Sequence, residues 1–219
     1  MTASGRSLRS LPINPPAPQI KNTFTNLLQL SSSSFQATYK AFAALRRDGS
    51  VVTWGSGAYG GDTEDVQTQL RDVRHIYAST GAFAAVRENG TVVTWGSLSC
   101  GGNSDTIRDQ LTGVVEVVGA SRAFAAIRAD GTVLTWCCKL WPDFDAIVGG
   151  DSEAVQELLE GVCCVEASTH AFAAIRRRGD VVTWGASSCG GDSTAVQEEL
   201  QDVTAIQANA FSFAALRAD

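Results

Sequence analysis

Histidines, chelating cysteine motifs and long apolar runs are scarce in this sequence. Its two histidines, His75 and His170, stand at different positions of the surrounding pattern. Its six cysteines include the adjacent pairs Cys137-Cys138 and Cys163-Cys164 but no C-x-x-C spacing of the kind typical of zinc sites. Neither a phosphate-binding loop nor a nucleophile elbow is present. We therefore expect no enzyme, no metal site and no cofactor.

Acidic residues are missing from the N-terminal part of the chain. Residues 1–47 contain six Lys or Arg and no acid, whereas residues 48–219 contain eleven Lys or Arg against 23 Asp or Glu. The acidic body argues against a nucleic-acid surface. Residues 1–22 are rich in Ser, Arg and Pro, which predicts either a disordered arm or an organellar transit peptide. We predict a cytoplasmic protein, with an organellar location as the alternative.

The sequence also lacks long apolar segments and a repeated cysteine pattern, which bears on membrane insertion and on the redox state of the thiols. No apolar run approaches the roughly 18 residues that span a membrane, and the apolar core of a secretory signal peptide is missing. The cysteines share no common framework across the chain, which favours reduced thiols, with disulfides as the alternative. We expect no membrane span.

What the sequence does contain is a repeat. Residues 41–55, AFAALRRDGSVVTWG, return in similar form at 82–96, 123–137 and 171–185, and a shorter copy begins at Ser212. One phenylalanine marks each copy, at spacings of 41, 41, 48 and 41 residues: Phe42, Phe83, Phe124, Phe172 and Phe213. A fixed period in this range indicates stacked supersecondary units.

Each copy is predicted to contain a β-hairpin. Asp48-Gly49 is a two-residue type I′ turn signal, and the following Val, Val, Thr and Trp favour strand over helix. Folding about this turn predicts that Ala43 faces Trp54 and that Phe42 faces Gly55, so that each large ring lies opposite a small residue. A strand precedes each hairpin, and a Gly-Gly loop with a short helical turn follows it.

The predicted architecture is all-β, with tandem three-stranded repeats of about 41 residues in a propeller-like arrangement and short helical turns between units. Residues 1–32 form an acid-poor N-terminal arm that includes a degenerate first segment. Residues 33–219 form the repeat domain, with four complete units and part of a fifth. This number of units predicts an open or incomplete arc.

The repeated A-F-A-A-x-R-x-D-G-x-V-V-T-W-G pattern with its Gly-Gly loop resembles the repeat of the regulator of chromosome condensation family of β-propellers. The short unit is similar to the branch of that family that includes a bacterial β-lactamase inhibitor protein. The resemblance covers residues 33–219. It implies radially arranged blades whose rim loops serve as binding surfaces. Because members include exchange, ubiquitin-ligase-linked and inhibitor proteins, the fold does not decide the function.

An arginine recurs four residues after each repeat phenylalanine. A row of arginines could form a basic stripe for a polyanion, or each side chain could pack at the end of its strand with its head in water or on a carboxylate. The second interpretation is favoured because acidic residues lie throughout the same repeats. The residues concerned are Arg46, Arg87, Arg128, Arg176 and Arg217.

One insertion interrupts the repeat. Seven extra residues separate Trp136 from Gly149, relative to the other units. Insertions in repeat proteins fall on loops, and exposed aromatic residues are typical binding anchors. The alternative is a lid that folds back over a wider gap between units. The predicted partner-binding residues are Lys139, Leu140, Trp141, Asp143, Phe144 and Asp145.

Together these features predict a non-enzymatic protein-interaction module or scaffold subunit that uses its rim loops. One alternative is a regulatory propeller of a ubiquitin-ligase or nucleotide-exchange system, and another is an accessory subunit of an organellar complex. The expected partner is a protein or a larger complex. The incomplete fifth unit also predicts an open strand edge at residues 213–217, which either residues 19–30 or another chain would pair.

Overall fold

A computed structural model describes residues 35–137 and 149–218, and these residues form a row of small antiparallel sheets. Four sheets have three strands and the fifth has two. The first sheet contains β1 (Phe35–Ala37), β2 (Ala41–Leu45) and β3 (Val51–Gly55), and the second contains β4 (Val73–Ala78), β5 (Ala82–Arg87) and β6 (Val92–Gly96). The third sheet contains β7 (Val114–Gly119), β8 (Ala123–Arg128) and β9 (Val133–Cys137), and the fourth contains β10 (Val162–Ala167), β11 (Ala171–Arg176) and β12 (Val181–Gly185). The fifth sheet contains β13 (Val203–Ala208) and β14 (Phe213–Arg217).

Short 3₁₀ helices occupy the connections between sheets, as the Gly-Gly loops and helical turns of the sequence predict. They lie at Gly57–Tyr59, Leu98–Cys100, Arg108–Gln110, Glu153–Leu158, Ser187–Cys189 and Thr194–Val196. None of the helices in residues 35–137 and 149–218 is long and apolar enough to cross a membrane. The predicted all-β class with three-stranded tandem units is confirmed.

The hairpins are real, but the predicted register is wrong by one residue. Phe42 faces Trp54 and Ala43 faces Thr53, so the two rings are neighbours on one face. The Gly49 N–H donates to the Arg46 carbonyl at 3.0 Å, and Gly49 has a φ of 76°. The loop is therefore a type I turn followed by a left-handed glycine, which adds one residue to a type I′ loop. Phe124 likewise faces Trp136, where Cys137 was expected.

The correct register gives each three-stranded sheet two chemically different faces, and the fifth sheet has the same two faces without a tryptophan and with Ser212 in place of the first alanine. One face carries the stacked phenylalanine and tryptophan, and we call it the aromatic face; the other carries two alanines of the central strand, and we call it the alanine face. In the second sheet Phe83 and Trp95 stack at 5.2 Å and lie against Ala41 and Ala43 of the first sheet. The same packing recurs where each later sheet meets the one before it.

Glycine at the Gly-Gly loop is required by this packing. Gly60 has a φ of 92°, and a Cβ added to it would lie 2.6 Å from Cδ2 of Phe83 in the next sheet. The indole of Trp95 donates to the Gly60 carbonyl at 3.0 Å. Trp136 and Trp184 make the same bond to Gly101 and Gly149, at 3.0 and 3.2 Å. Each loop thus forms part of the socket for the next aromatic face.

Backbone hydrogen bonds fasten the sheets to one another at both ends of the strands. At one end Thr80 N–H donates to Ser121, and Ser121 N–H donates to Thr169, at 3.2 and 2.9 Å. At the other end the first strand of each later sheet donates to a hairpin glycine, as Val73 does to Gly49 at 3.0 Å. Since these bonds use main-chain atoms, the spacing between sheets is the same for units of different sequence.

Candidate interaction surfaces

The predicted partner-binding loop lies outside the described residues. This applies to Lys139, Leu140, Trp141, Asp143, Phe144 and Asp145. The described residues on either side of the loop keep the geometry of the other units. Cys137 is buried at the end of β9, and Gly149 accepts the Trp184 indole. The insertion therefore begins and ends at regular repeat positions, and its role in binding stays a prediction.

An exposed aromatic face on the first sheet is the most unusual apolar surface among the described residues. Phe35, Phe42 and Trp54 are 38%, 44% and 40% exposed. Their counterparts Phe83 and Trp95 in the second sheet are only 0% and 4% exposed. Large contiguous apolar surfaces of this kind mark interaction sites.

The rings of this face form one connected group. Phe42 stacks on Trp54 with centroids 5.5 Å apart, and Phe35 meets the same indole edge-on at 5.3 Å. The group is held by β1, β2 and β3, so it is rigid before any partner arrives. A preformed aromatic surface loses little conformational entropy on binding, which favours affinity.

Sequence reasoning missed this surface. Phe42 and Trp54 occupy ordinary repeat positions, so their residue types gave no warning of exposure. The available signal in the sequence was that the segment before the first unit departs from the repeat pattern. A repeat residue is buried only when the preceding unit covers it.

At the other end of the row, the alanine face of the fifth sheet is exposed. Ala214 is exposed, and Leu216 is 65% exposed. The corresponding Ala84 and Val86 of the second sheet are fully buried. Within the part of the chain that the structure describes, β14 pairs only with β13. Its second edge matches the open edge predicted at residues 213–217, and pairing of that edge stays a prediction.

The turns between the first and second strands line an open depression of about 450 Å³. Its walls are small side chains, including Ser79, Thr80, Ser121 and Thr169. Lys40 lies nearby at the first turn, with Nζ 5.3 Å from the centroid of the Tyr59 ring. These residues form a polar, shallow rim suited to hydrogen bonding with a protein surface.

His170 lies at the same kind of turn, and its buried Nδ1 has no hydrogen-bond partner among residues 35–137 and 149–218. Burial, with a smaller contribution from Arg122, lowers the pKa of His170. The imidazole is therefore neutral at physiological pH. It adds no positive charge to the rim.

The first strands of the third and fourth sheets, β7 and β10, carry titratable groups that influence one another. Burial, together with the charge of Glu116, raises the pKa of Glu166. Burial also raises the pKa of the Cys164 thiol, helped by Glu166 and Glu116. A thiol held protonated is a poor nucleophile. In residues 35–137 and 149–218, no three His, Cys, Asp or Glu side chains are placed to hold a metal ion.

Two further cysteines serve packing. Cys100 and Cys189 are buried in the loops after the third strands, where Tyr59 stands in the first unit. Cys100, Cys163, Cys164 and Cys189 are free thiols, in agreement with the reduced state that the sequence favours.

The repeated arginines have a structural role, as expected. Arg87 Nε donates to the Arg71 carbonyl at 3.1 Å, and Arg128 Nε donates to the Thr112 carbonyl at 3.0 Å. Arg176 bonds the Leu158 carbonyl in the same way at 3.2 Å. These three guanidinium groups therefore bond the segment that precedes their sheets through backbone carbonyls, and those of Arg128 and Arg176 also pair with the carboxylates of Asp130 and Asp180.

Comparison of the sequence with family models and with curated proteins gives no match. Comparison of the structure with solved structures gives several. Human WBSCR16 matches at a TM-score of 0.52 and 15% identity, over 87% of this chain and 60% of that one. Prp20p from Saccharomyces cerevisiae matches at 0.54 and 17%, over 84% and 55%. The ectodomain of the Arabidopsis thaliana receptor kinase ACR4 matches at 0.53 and 14%, over 84% and 64%.

These likenesses concern the fold, because the identities are low. The chain spans less than two thirds of the length of each of these solved structures. Their shared architecture is a propeller built from repeated small sheets, in agreement with the unit seen here.

Proposed function

We propose that this chain, which has the fold of RCC1-type repeat β-propellers, is a non-enzymatic protein-interaction module. The observation that carries the proposal is the exposed aromatic face of Phe35, Phe42 and Trp54. Rigid aromatic side chains dominate the energetics of protein interfaces. A surface of this kind is suited to a partner with small, apolar residues.

The structural neighbours support a role in protein binding. Prp20p has binding properties toward Gsp1p and histones, and it has also been solved bound to Kap60. The scaffold role proposed for this chain rests on its own aromatic surface and on the polar rim beside Lys40. The regulatory-propeller and organellar-subunit alternatives rest on sequence patterns alone.

The proposal is tested by quantitative co-purification from the native cells with an affinity-tagged chain. We expect a protein partner at stoichiometric amounts with the native sequence and its loss with Phe42→Ser plus Trp54→Ser. Leu98→Ser is the matched control, since Leu98 is 58% exposed and lies away from that face. Recovery of the same partner by all three proteins would exclude the aromatic face, and recovery of no stoichiometric protein would contradict the module itself.

A second variant tests the inserted loop separately. Trp141→Ala with Phe144→Ala should abolish partner binding and leave the urea unfolding curve unchanged if the loop is a binding anchor. Loss of stability with the partner retained would instead identify the loop as a lid over the gap between units.

A further inference from the structure

We propose that the chain binds a second copy of itself head to tail, with the aromatic face of one copy seated on the alanine face of another. This proposal rests on the proposed function, because it assigns one occupant to the same aromatic surface. The first sheet would dock against the fifth sheet of a neighbouring copy.

The chain itself contains the template for this contact. Each aromatic face from the second sheet onward is seated on the alanine face of the preceding sheet. In the third sheet, for example, Phe124 and Trp136 lie against Ala82, Ala84 and Val86. These residues are 0–3% exposed, so the contact excludes water fully. The preferred partner of an aromatic face is therefore known from this molecule.

The two faces that meet in each internal junction are also exposed, one at each end of the row of sheets. The aromatic half is the surface of Phe35, Phe42 and Trp54 on the first sheet. The alanine half is the surface of Ala214 and Leu216 on β14 and of Ser212 just before this strand, and all three residues are exposed. Two copies can thus form a junction in which rings meet small residues, as in the internal ones, but without the third strand and Gly-Gly loop that complete the internal sockets. Such a contact uses different surfaces on the two partners, so it is heterologous and leaves one free face at each end.

A symmetric contact of two aromatic faces fits less well. In the internal junctions the rings meet small residues at close range: a Cβ added to Gly101 would lie 2.8 Å from Cδ2 of Phe124. Phenylalanine and tryptophan from a second copy would fill the space that glycine and alanine leave open. The sockets seen in this chain are therefore shaped for rings on one side and small residues on the other.

The new junction should be weaker than the internal ones. Internally the indole donates to a loop glycine carbonyl, as Trp136 does to Gly101 at 3.0 Å. Among residues 35–137 and 149–218, nothing follows β14 that could supply this carbonyl on the fifth sheet. Association should accordingly be reversible and concentration-dependent, with dissociation in the micromolar range.

Sedimentation equilibrium of the purified chain with two charge-matched variants tests the proposal. Trp54→Arg disables the aromatic face, and Ala214→Arg disables the alanine face. Because both changes add a positive charge, the two disabled faces do not attract each other. Val196→Arg is the control, since Val196 is 45% exposed on the segment that connects the fourth and fifth sheets and belongs to neither face.

The native chain and Val196→Arg should both increase in weight-average mass between about 1 and 100 µM. Each face variant alone should stay monomeric, with association weakened at least about tenfold. An equimolar mixture of the two variants should form dimers and stop there, because each partner retains a single working face. Circular dichroism of all variants should match the native spectrum.

Two results would overturn the proposal. A native chain that stays monomeric over the whole range would show that the faces do not bind each other. Association of Ala214→Arg at native strength, with Trp54→Arg monomeric, would show a symmetric aromatic contact instead. Co-purification reads the recovery of a foreign protein, whereas this experiment reads the mass of the purified chain alone, so each proposal can fail independently.

Discussion

The turn of the fourth hairpin differs from the third in the residues on either side of its glycine. In the third hairpin the Asp130 carboxylate accepts a bond from the Thr132 hydroxyl at 2.7 Å. In the fourth, Arg178 replaces the acid and Asp180 replaces the hydroxyl residue. Arg178 donates to both oxygens of Asp180 at 2.6 and 2.9 Å, and Arg176 also bonds this carboxylate. Asp180 is 5% exposed, so it depends on these partners for compensation.

This exchange predicts strong coupling between the two positions. Asp180→Thr should destabilise the protein by about 1–3 kcal/mol, because Arg176 and Arg178 lose their shared acceptor. Arg178→Asp should also destabilise, since it places two carboxylates side by side. The double variant recreates the Asp-Gly-Thr turn of the third hairpin and should recover most of both losses. Urea unfolding of the four proteins measures the coupling, and simple addition of the two losses would contradict it.

The aspartates of the first and third turns should make stability depend on pH. The Ser50 hydroxyl and, to a smaller extent, the Ser50 N–H donate hydrogen bonds to the Asp48 carboxylate, and these bonds hold the pKa of Asp48 below its usual 3.8. The hydroxyl and N–H of Thr132 lower the pKa of Asp130 in the same way. A folded pKa below the unfolded one gives stabilisation that is present above about pH 4 and lost as pH falls through the folded pKa.

Asn89 shows how to test this. It occupies the corresponding position of the second turn and accepts the same bonds from Thr91, at 3.1 and 2.7 Å, without a titrating group. Asp48→Asn with Asp130→Asn should therefore unfold like the native protein at pH 7 and lose less stability between pH 4 and 2. The urea midpoint is measured as a function of pH for both proteins. If the midpoint of the double variant falls with pH below 4 as steeply as that of the native protein, other carboxylates cause the loss of stability in acid.

At the scale of the element, the hairpin shows what sequence patterns can and cannot fix. The repeat period and the β-branched run predicted each strand correctly. The Asp-Gly pair did not determine the register, because it suits both a type I′ turn and a type I turn with a left-handed glycine. That difference of one loop residue moved Phe42 from facing Gly55 to facing Trp54. The same register forms in the first sheet, where the rings are exposed, and in the second, where they are buried, so burial of the rings does not set it.

Burial of the repeat phenylalanine gives a matched pair of predictions. Phe124→Ala should destabilise the protein by about 3–5 kcal/mol, because Phe124 is fully buried between two sheets. Phe42→Ala should cost far less, about 1 kcal/mol, because the same residue type at the same repeat position is 44% exposed. Urea midpoints of the two variants give the comparison. Equal losses, or less than about 1 kcal/mol for Phe124→Ala, would show that stacking between sheets is not the source of stability.

At the scale of the whole molecule, the row of sheets predicts a gradient of stability. Each sheet contacts its neighbours in sequence, so the third sheet is supported on both sides and the first and fifth each have one exposed face. Amides of β8 should exchange with solvent most slowly, and those of β1 and β14 most rapidly. Hydrogen exchange read by mass spectrometry measures this directly. Uniform protection from β1 to β14 would contradict a row with open ends and require that both end faces are covered.

The sequence predicted the arrangement of the units but not which of their residues are exposed. The number of units and their order followed from the phenylalanine spacing, and the open arc followed from that number. The exposed aromatic face did not, because Trp54 and Trp95 have similar neighbours in sequence and differ in whether a described sheet covers them. Exposure of a repeat residue is a property of the assembly and leaves no trace in its own unit.

The bond from the Trp184 indole to the Gly149 carbonyl has a consequence for how this chain can change over time. It uses the carbonyl of Gly149, the first described residue after the inserted segment, and its 3.2 Å length is close to the 3.0 Å of the uninterrupted units. Unit length and unit stacking are therefore uncoupled at this position. Segments of new composition can be exchanged there by mutation or by engineering, while the scaffold keeps its geometry.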